Sequence, residues 1–320
     1  MQAKTVADCL LVLSSTWRKF HSSSPYYNLL FTKHPRFKLV EINTVDDYAK
    51  AQEELKSAKA LFCDDHTYPN FSFSGPKFFI TGDLHAFTKE AAINERDKPL
   101  EWCDYALSTC ALGYYERTPW NYFWPRQDLR DRILYYPHHV TSNPVIGKNK
   151  HEVNVGLGGD TSPIVYPFRA HCLTFPEVEK IPHKKYTHAE FLEELSRYKV
   201  GITCNSFIGY NIAKYFEIPK AGSLLFAQEM SSLEREVLGF NETNSVLVPQ
   251  HNAHQKLREV LANWYEHYMG VAIKGTELVE AKHTAYSRMN YMAALADKAY
   301  AEKLTTDDAL SILKKSYPAG

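Results

Sequence analysis

The chain has 320 residues, of which 44% are hydrophobic and 23% charged, and its 37 Lys and Arg residues balance 37 Asp and Glu residues. This is the composition of an ordinary globular protein, and the length suits one large domain or two of usual size. Because the formal net charge is zero, no overall field attracts nucleic acid or an anionic membrane, and we expect no nucleic-acid partner.

The six cysteines are scattered and include no C-x-x-C pair. Most lie in or beside apolar runs, where a reduced thiol packs as a small hydrophobic group. We therefore expect a reducing, cytoplasmic location. The apolar run from Cys9 to Leu13 is too short for a signal-peptide core or a membrane span, so we expect no spanning segment.

The first half of the chain alternates short apolar runs with polar, helix-like stretches. The stretch DDYAKAQEELKSAKA is strongly helix-prone, and Thr44 or Asp46 can cap it. The apolar runs are too continuous for half-exposed strands, so they predict a parallel sheet that is covered on both faces. The predicted strands are 10–14, 37–42, 59–63, 77–81, 103–108 and 132–136.

The second half repeats this alternation after a polar segment, 138–151, that contains Pro144 and Gly147 and is predicted to be a linker. The predicted strands are one within 151–159 and those at 198–203, 223–227 and 245–249. The predicted helices are 167–174, 187–197 capped by Thr187, one after 209, and 252–269, 276–302 and 305–315.

These patterns together predict an α/β fold with two Rossmann-like domains that face a central cleft. The predicted domains are 1–145 and 146–290, and C-terminal helices follow at 291–320. Ligand sites in such folds lie at the carboxyl ends of the strands, in the crevice.

The strongest chemical signal is the segment CNSFIGYNIAKYFEIPKAGSLLFA, 204–227. Free backbone N–H groups at the start of a helix near Gly209, with Asn205 and Ser206, would form a diphosphate site. Lys214 and Glu217 are three residues apart and so share a helix face, where Glu217 could accept from ribose hydroxyls and Lys214 could meet a phosphate. The alternative is a surface ion pair. Two more polar residues of the segment, Tyr210 and Asn211, are assigned to the same site.

The second signal is VNVGLGGDTSPIVYPFR, 153–169. Gly158, Gly159 and Asp160 form a turn after a strand, where the backbone can approach a ligand closely. Thr161 stands where a dinucleotide fingerprint needs its third glycine, so this is not that motif. Arg169 could neutralise a diphosphate bidentately, and the alternative is a tight turn with a structural arginine.

The third signal is KFFITGDLHAF, 77–87, in which a buried strand delivers Asp83 and His85 at its carboxyl end. Either side chain could act as a general base that removes a proton from a reacting hydroxyl. The alternative is a capping Asp and a loop His. Residues 64–66, which follow the preceding strand, could converge on the same place.

The segment KYFEIPKAGSLLFA resembles the F-E-x-x-A-x-G segment of group 1-type GT-B glycosyltransferases, and is most like that of the spore-coat CgeB-like branch. NSVLVP, the helix that follows it and AKHTAYSRM continue the likeness. The resemblance implies a GT-B fold, a UDP or GDP sugar as donor, and a glycan or small-molecule acceptor. It implies that the N-terminal domain, 1–145, binds the acceptor, that the C-terminal domain, 146–290, binds the nucleotide sugar, and that the last helices, 291–320, pack back across both lobes. It also implies that Glu217 binds the donor ribose and that neither a metal nor a cofactor is required.

One departure from the family leaves two questions open. Many retaining members carry a further Glu eight residues before the position of Glu217, and here that residue is Gly209. The contact to the donor sugar and the stereochemical outcome are therefore undecided, and a degenerate protein that only binds nucleotide sugar is one alternative.

A different alternative is a two-metal phosphoesterase, because GDLH after an apolar strand also opens those enzymes. The downstream G-N-H-[DE] and G-H-x-H segments of that class are absent. A metal site would have to draw on seven residues: Asp64, Asp65, His66, Asp83, His85, His138 and His139.

Overall fold

A computed structural model of the chain describes residues 7–15, 28–64, 67, 71–81, 101–109, 111, 131–145, 149–182, 186–206 and 211–315. The chain divides into two compact units, 1–137 with 285–320, and 138–284. The domain borders expected at 145 and 290 lie a few residues beyond the observed borders at Pro137 and Thr284.

The first unit is built on a parallel sheet with the strand order β2-β1-β3-β4-β5-β6. The expected parallel pairing is confirmed along its length, from Cys9 beside Phe37 to Ser108 beside Tyr135. The buried apolar runs produce this arrangement, since nearly every residue of β1 and β3 to β6 is inaccessible. The strands are β1 (Cys9–Ser14), β2 (Phe37–Ile42), β3 (Ala60–Cys63), β4 (Lys77–Thr81), β5 (Tyr105–Ser108) and β6 (Ile133–Tyr135).

Helix α1 (Val45–Glu54) crosses from β2 to β3, and it begins at the predicted cap. The Thr44 side chain and the Asp47 carboxylate form a capping box, in which Asp47 accepts from the Thr44 backbone N–H at 2.8 Å. The single helical turns Leu29–Phe31 and Leu55–Ser57 flank it in sequence.

Two helices near the end of the chain, α8 (Ala285–Ala301) and α9 (Thr306–Lys315), belong to the first unit. The Tyr291 hydroxyl donates to the Tyr135 carbonyl at 2.9 Å, which holds α8 against the sheet. At the other end of α8, the Asp297 carboxylate pairs with Arg36 and Lys59, which immediately precede β2 and β3. The arginine is the largest cause of a pKa of Asp297 lowered to about 2. The expected packing of the last helices across both halves stays a prediction.

The second unit has a parallel sheet with the order β11-β10-β9-β7-β8. Both sheets and their covering helices therefore confirm the predicted α/β class. The strands are β7 (Val153–Leu157), β8 (Val178–Lys180), β9 (Tyr198–Thr203), β10 (Leu224–Gln228) and β11 (Val246–Val248).

The helices of the second unit cover its sheet. They are α2 (Pro167–Cys172), α3 (His188–Leu195), α4 (Lys214–Lys220), α5 (Ser232–Leu238), α6 (Ala253–Ala262) and α7 (Met269–Lys282), with a helical turn at Gln250–Asn252 and a π-helical turn at Trp264–Tyr268. Thr187 caps α3 as predicted, accepting from the Glu190 backbone N–H at 3.3 Å. The core under these helices includes Val155, Phe168, Val200, Phe226 and Trp264.

Some element bounds differ from the prediction. Strand β8 and helix α5 were not predicted, and each of the helices expected at 252–269 and 276–302 is interrupted. The first is interrupted at Asn263, before the π-helical turn, and the second at His283, whose ring nitrogen Nε2 bonds to the Leu238 carbonyl at 2.8 Å. That contact ends α7 by giving His283 a partner on another element.

No helix in the described ranges is both long enough and apolar enough to cross a membrane.

Candidate functional site

The candidate site begins at the loop that follows β7. Gly159 has φ +89°, in the left-handed region where a side chain is strained. An ideal Cβ placed on Gly159 would lie 2.9 Å from Cε of Lys214 and 3.3 Å from Nη1 of Arg169. The absence of a side chain thus lets two cationic side chains approach the same stretch of backbone.

The first cation, Arg169, lies on α2 and is 1% exposed. Its Nη1 donates to the Asp160 carbonyl at 3.0 Å, and its Nη2 donates to Oγ1 of Thr203 at 3.2 Å. The buried Nε atom has no hydrogen-bond partner. Since both partners are neutral and no carboxylate of the described residues forms an ion pair with it, the guanidinium keeps an unneutralised charge.

The second cation, Lys214, is the first residue of α4 and is half-buried. Its Nζ lies 5.2 Å from the centre of the Phe191 ring, and within the described ranges it forms no ion pair. Burial lowers the pKa of Lys214, the Glu217 carboxylate opposes that change, and the Arg169 charge adds to it. The lysine and the arginine therefore repel each other at the Gly159 loop.

Glu217 lies one turn along α4 from Lys214, as the spacing predicted. It is 1% exposed rather than on the surface, and its Oε1 atom has no hydrogen-bond partner. A buried carboxylate oxygen without a donor is costly, so it is a ready acceptor for ligand hydroxyls. Glu217 also acts on His188, the first residue of α3: burial lowers the pKa of His188 and the carboxylate partly offsets this.

Three polar side chains follow β9. The Asn211 Nδ2 donates to Oδ1 of Asn205 at 2.9 Å, which fixes the two amides to each other. The Asn211 Oδ1 and the Ser206 Oγ are buried and have no hydrogen-bond partner. Tyr210, the other residue expected here, lies outside the described residues, as does Gly209.

The expectation of a helix that begins near Gly209 is wrong. Helix α4 begins at Lys214, and Asn211 and Ile212 are not helical. The backbone N–H of Tyr215 donates to the Ile212 carbonyl, and those of Phe216 and Glu217 donate to the Ala213 carbonyl. These three amides already have partners, so the cations that the described residues supply to this site are the side chains of Arg169 and Lys214.

In the first unit, the two candidate bases Asp83 and His85 lie outside the described residues, and so do Asp65 and His66. The strand that leads to them ends at Thr81, whose buried Oγ1 has no hydrogen-bond partner. Asp64 is fully buried, and its carboxylate accepts from the Ser14 backbone N–H at 2.7 Å. Asp64 thus ties the end of β1 to the end of β3.

No group of three or more His, Cys, Asp or Glu side chains suited to a metal ion occurs among the described residues. His138 and His139, two of the seven residues named for a two-metal site, are buried, with 6% and 4% of their surfaces exposed. Four of the seven residues named for a two-metal site lie outside the described ranges.

Sequence reasoning missed the aromatic rings beside both cations. The Arg169 guanidinium carbon lies 4.3 Å from the centre of the Tyr166 ring, and Lys214 has Phe191. Tyr166 is three residues before Arg169 and could have been noticed, but no pattern links Phe191 on α3 to Lys214 on α4. His188 and Thr203 were also missed, because no sequence pattern links either residue to the site.

No protein-family model matches the sequence, and no curated protein matches it significantly. Solved structures share the fold at very low sequence identity. The sucrose-phosphate synthase of Thermosynechococcus elongatus is 11% identical, with a TM-score of 0.55 over 91% of this chain and 99% of its own. HepE of Anabaena, solved with UDP-glucose, is 8% identical, with a TM-score of 0.53 over 89% of this chain and 98% of its own.

TarM is 12% identical, with a TM-score of 0.51 over 78% of this chain, but the chain spans only 57% of the length of TarM. These proteins have the GT-B glycosyltransferase fold, so the fold that the sequence resemblance implied is confirmed. The likeness to the CgeB-like branch stays a prediction.

Proposed function

We propose that the protein is a glycosyltransferase that takes a sugar from a nucleotide-diphosphate sugar and transfers it to an acceptor hydroxyl. The observation that carries this proposal is the convergence of Arg169 and Lys214 on the Gly159 loop with no carboxylate paired to either among the described residues. Two like charges held together in a partly desolvated site favour an anion that carries two charges close together. A diphosphate is such an anion, and the fold is one used for nucleotide-sugar chemistry.

The nucleoside is bound by the neighbouring carboxylate. Glu217 is one helical turn from Lys214, so a ligand whose phosphate meets Lys214 can place its ribose beside Oε1, which lacks a donor. A carboxylate oxygen accepts well from a pair of ribose hydroxyls. Gly158, Asp160, Asn205, Ser206, Tyr210 and Asn211 complete the proposed donor site.

The donor is a UDP sugar in the first instance, because HepE was solved with UDP-glucose and shares the fold. A GDP sugar is the second choice. Transfer breaks the bond between the sugar anomeric carbon and the diphosphate oxygen, which keeps the electron pair as the nucleoside diphosphate leaves. Arg169 and Lys214 stabilise the negative charge on that leaving group.

The acceptor is proposed to be a glycan or a small molecule that the first unit binds, with Asp83 or His85 taking its hydroxyl proton. A nucleic-acid acceptor is disfavoured by the balance of 37 basic and 37 acidic residues.

We propose that transfer needs no divalent metal, because two side-chain cations already face the leaving group. We also propose a reducing, cytoplasmic location, since the cysteines Cys9, Cys63, Cys103, Cys172 and Cys204 are buried free thiols.

The test is nucleotide release from a panel of UDP and GDP sugars, with pooled glycan and small-molecule acceptors, with and without EDTA. We expect one donor to be consumed in EDTA and consumption to rise with the right acceptor. Tight donor binding without any turnover would identify a degenerate nucleotide-sugar-binding protein. Neither binding nor turnover, together with metal-dependent phosphoester cleavage, would replace the proposal by the phosphoesterase alternative.

A further inference from the structure

The two cations of the donor site each lie against an aromatic ring. The guanidinium carbon of Arg169 is 4.3 Å from the centre of the Tyr166 ring, and Nζ of Lys214 is 5.2 Å from the centre of the Phe191 ring. Both distances are within the range of about 6 Å at which a cation is attracted by the negative face of a ring. The rings come from different elements, Tyr166 from the residue before α2 and Phe191 from α3.

The glycine loop connects the two pairs. An ideal Cβ on Gly158 would lie 3.5 Å from the Phe191 ring, in ordinary contact, so the ring packs against the same loop that the Lys214 side chain approaches. On the next residue, Gly159, an ideal Cβ would lie 2.9 Å from Cε of Lys214 and 3.3 Å from Nη1 of Arg169. Two cations, each beside a ring, therefore converge on this loop.

The two rings provide favourable partners for two like charges that lie close together in the donor site. Arg169 and Lys214 repel each other, and the nearby Arg169 charge is one reason why the pKa of Lys214 is lowered. Both side chains need a favourable partner when no anion is bound, and a carboxylate in that position would compete with a diphosphate. The face of a ring attracts a cation without carrying a charge, so it does not neutralise the site.

We propose that Tyr166 and Phe191 are positioning residues that hold Arg169 and Lys214, charged and correctly spaced, for a nucleoside diphosphate. The proposal rests on the proposed donor site and adds to it the residues that preorganise its charge. A site whose cations are already placed loses less conformational entropy on binding, so the rings increase affinity without touching the ligand.

The test replaces Phe191 by phenylalanines with one, two and three ring fluorines, which weaken the negative ring face while nearly preserving its shape. We expect the affinity for UDP, measured by calorimetry, to fall stepwise with fluorine number, by about 2- to 30-fold in total. We also expect the alkaline loss of UDP binding to move to lower pH, because the ring no longer stabilises the ammonium form. The same series in Lys214→Met should show no trend.

Tyr166 is tested by a matched pair. Tyr166→Phe keeps a ring under Arg169 and should bind UDP as the unchanged protein does, whereas Tyr166→Leu keeps apolar bulk and should bind several-fold more weakly. A chain that binds no nucleoside diphosphate would overturn the proposed function itself. A chain that binds UDP equally well at every level of fluorination, or shows the same trend with Lys214→Met, would overturn the positioning role and leave the proposed function standing.

Discussion

Arg169 and Lys214 lie against one residue: an ideal Cβ on Gly159 would be 3.3 Å from Nη1 of the arginine and 2.9 Å from Cε of the lysine. The arginine comes from α2 and the lysine from α4, so packing of the second unit brings the two charges together. Each side chain is partly or fully withdrawn from water, which strengthens the attraction of the pair for an anion. The predictions below follow from this relationship and from the packing that maintains it.

The glycine loop predicts a difference between two neighbouring substitutions. Gly159→Ala adds a methyl group at φ +89° and 2.9 Å from the lysine side chain, so it should displace Lys214 and weaken UDP binding by about tenfold or more. Gly158→Ala adds the same methyl group where its Cβ would meet Ile181 and Phe191 at ordinary contact distances of 3.4 Å and 3.5 Å, so it should weaken UDP binding less. Calorimetry with UDP measures both. Equal affinities for the two variants would contradict the proposed role of the loop.

The lowered pKa of Lys214 predicts how donor binding depends on pH. Only the ammonium form attracts a diphosphate, and burial lowers the pKa of Lys214 below the ordinary 10.5. Affinity for UDP should therefore be constant while Lys214 is protonated and should fall as the pH rises through this lowered value. Lys214→Arg keeps its charge at high pH and should lose the alkaline fall. If UDP affinity falls at alkaline pH to the same extent in Lys214→Arg, the titration of another group causes the fall.

The buried carboxylate predicts a separation between nucleoside and phosphate binding. Glu217→Gln keeps the shape but removes the charge that accepts from ribose hydroxyls, so UDP binding should weaken by about 10-fold or more. Pyrophosphate, which has no ribose, should bind the variant and the unchanged protein alike. If pyrophosphate binding falls as much as UDP binding does, Glu217 acts through Lys214 rather than on the ribose.

Helix α7, which packs on α4, offers a paired test of stability. Nothing lies within 4 Å of an ideal Cβ on Gly270, so Gly270→Ala should raise the free energy of unfolding by about 0.5–1 kcal/mol. On the same helix a Cβ on Gly275 would lie 2.5 Å from the Asn244 carbonyl oxygen, so Gly275→Ala should lower it by about 1–3 kcal/mol. Urea titration measures both changes. Destabilisation by Gly270→Ala would show that the space next to Gly270 is not open.

Much of the fold could be predicted because its strands are continuous runs of apolar residues, which the structure buries. Phe37–Ile42, Lys77–Thr81 and Tyr198–Thr203 have the bounds that the sequence predicted. Strand β8 was missed because it has three residues and two are exposed, so it carries no apolar run. Helix α5 was missed although Ser231 and Glu234 form a capping box that the sequence displays.

The candidate site was predictable only where its residues are close in sequence. The shared face of Lys214 and Glu217 follows from helical spacing, and the loop after β7 follows from its glycines. The start of α4 was placed too early because Ala213 and Ile212 are compatible with a helix, and only the structure shows that the helix begins later. The Phe191 ring beside Lys214 depends on the packing of α3 against α4, which no local pattern records.

The most direct test is a calorimetric titration of UDP into the unchanged protein, Arg169→Gln and Lys214→Met, with Lys256→Met as the control on an exposed pair with Glu259. We predict binding of UDP without added metal, loss of at least tenfold in affinity with either site variant, and no change with Lys256→Met. Unchanged UDP affinity in both site variants would contradict the assignment of the Gly159 loop as the diphosphate site.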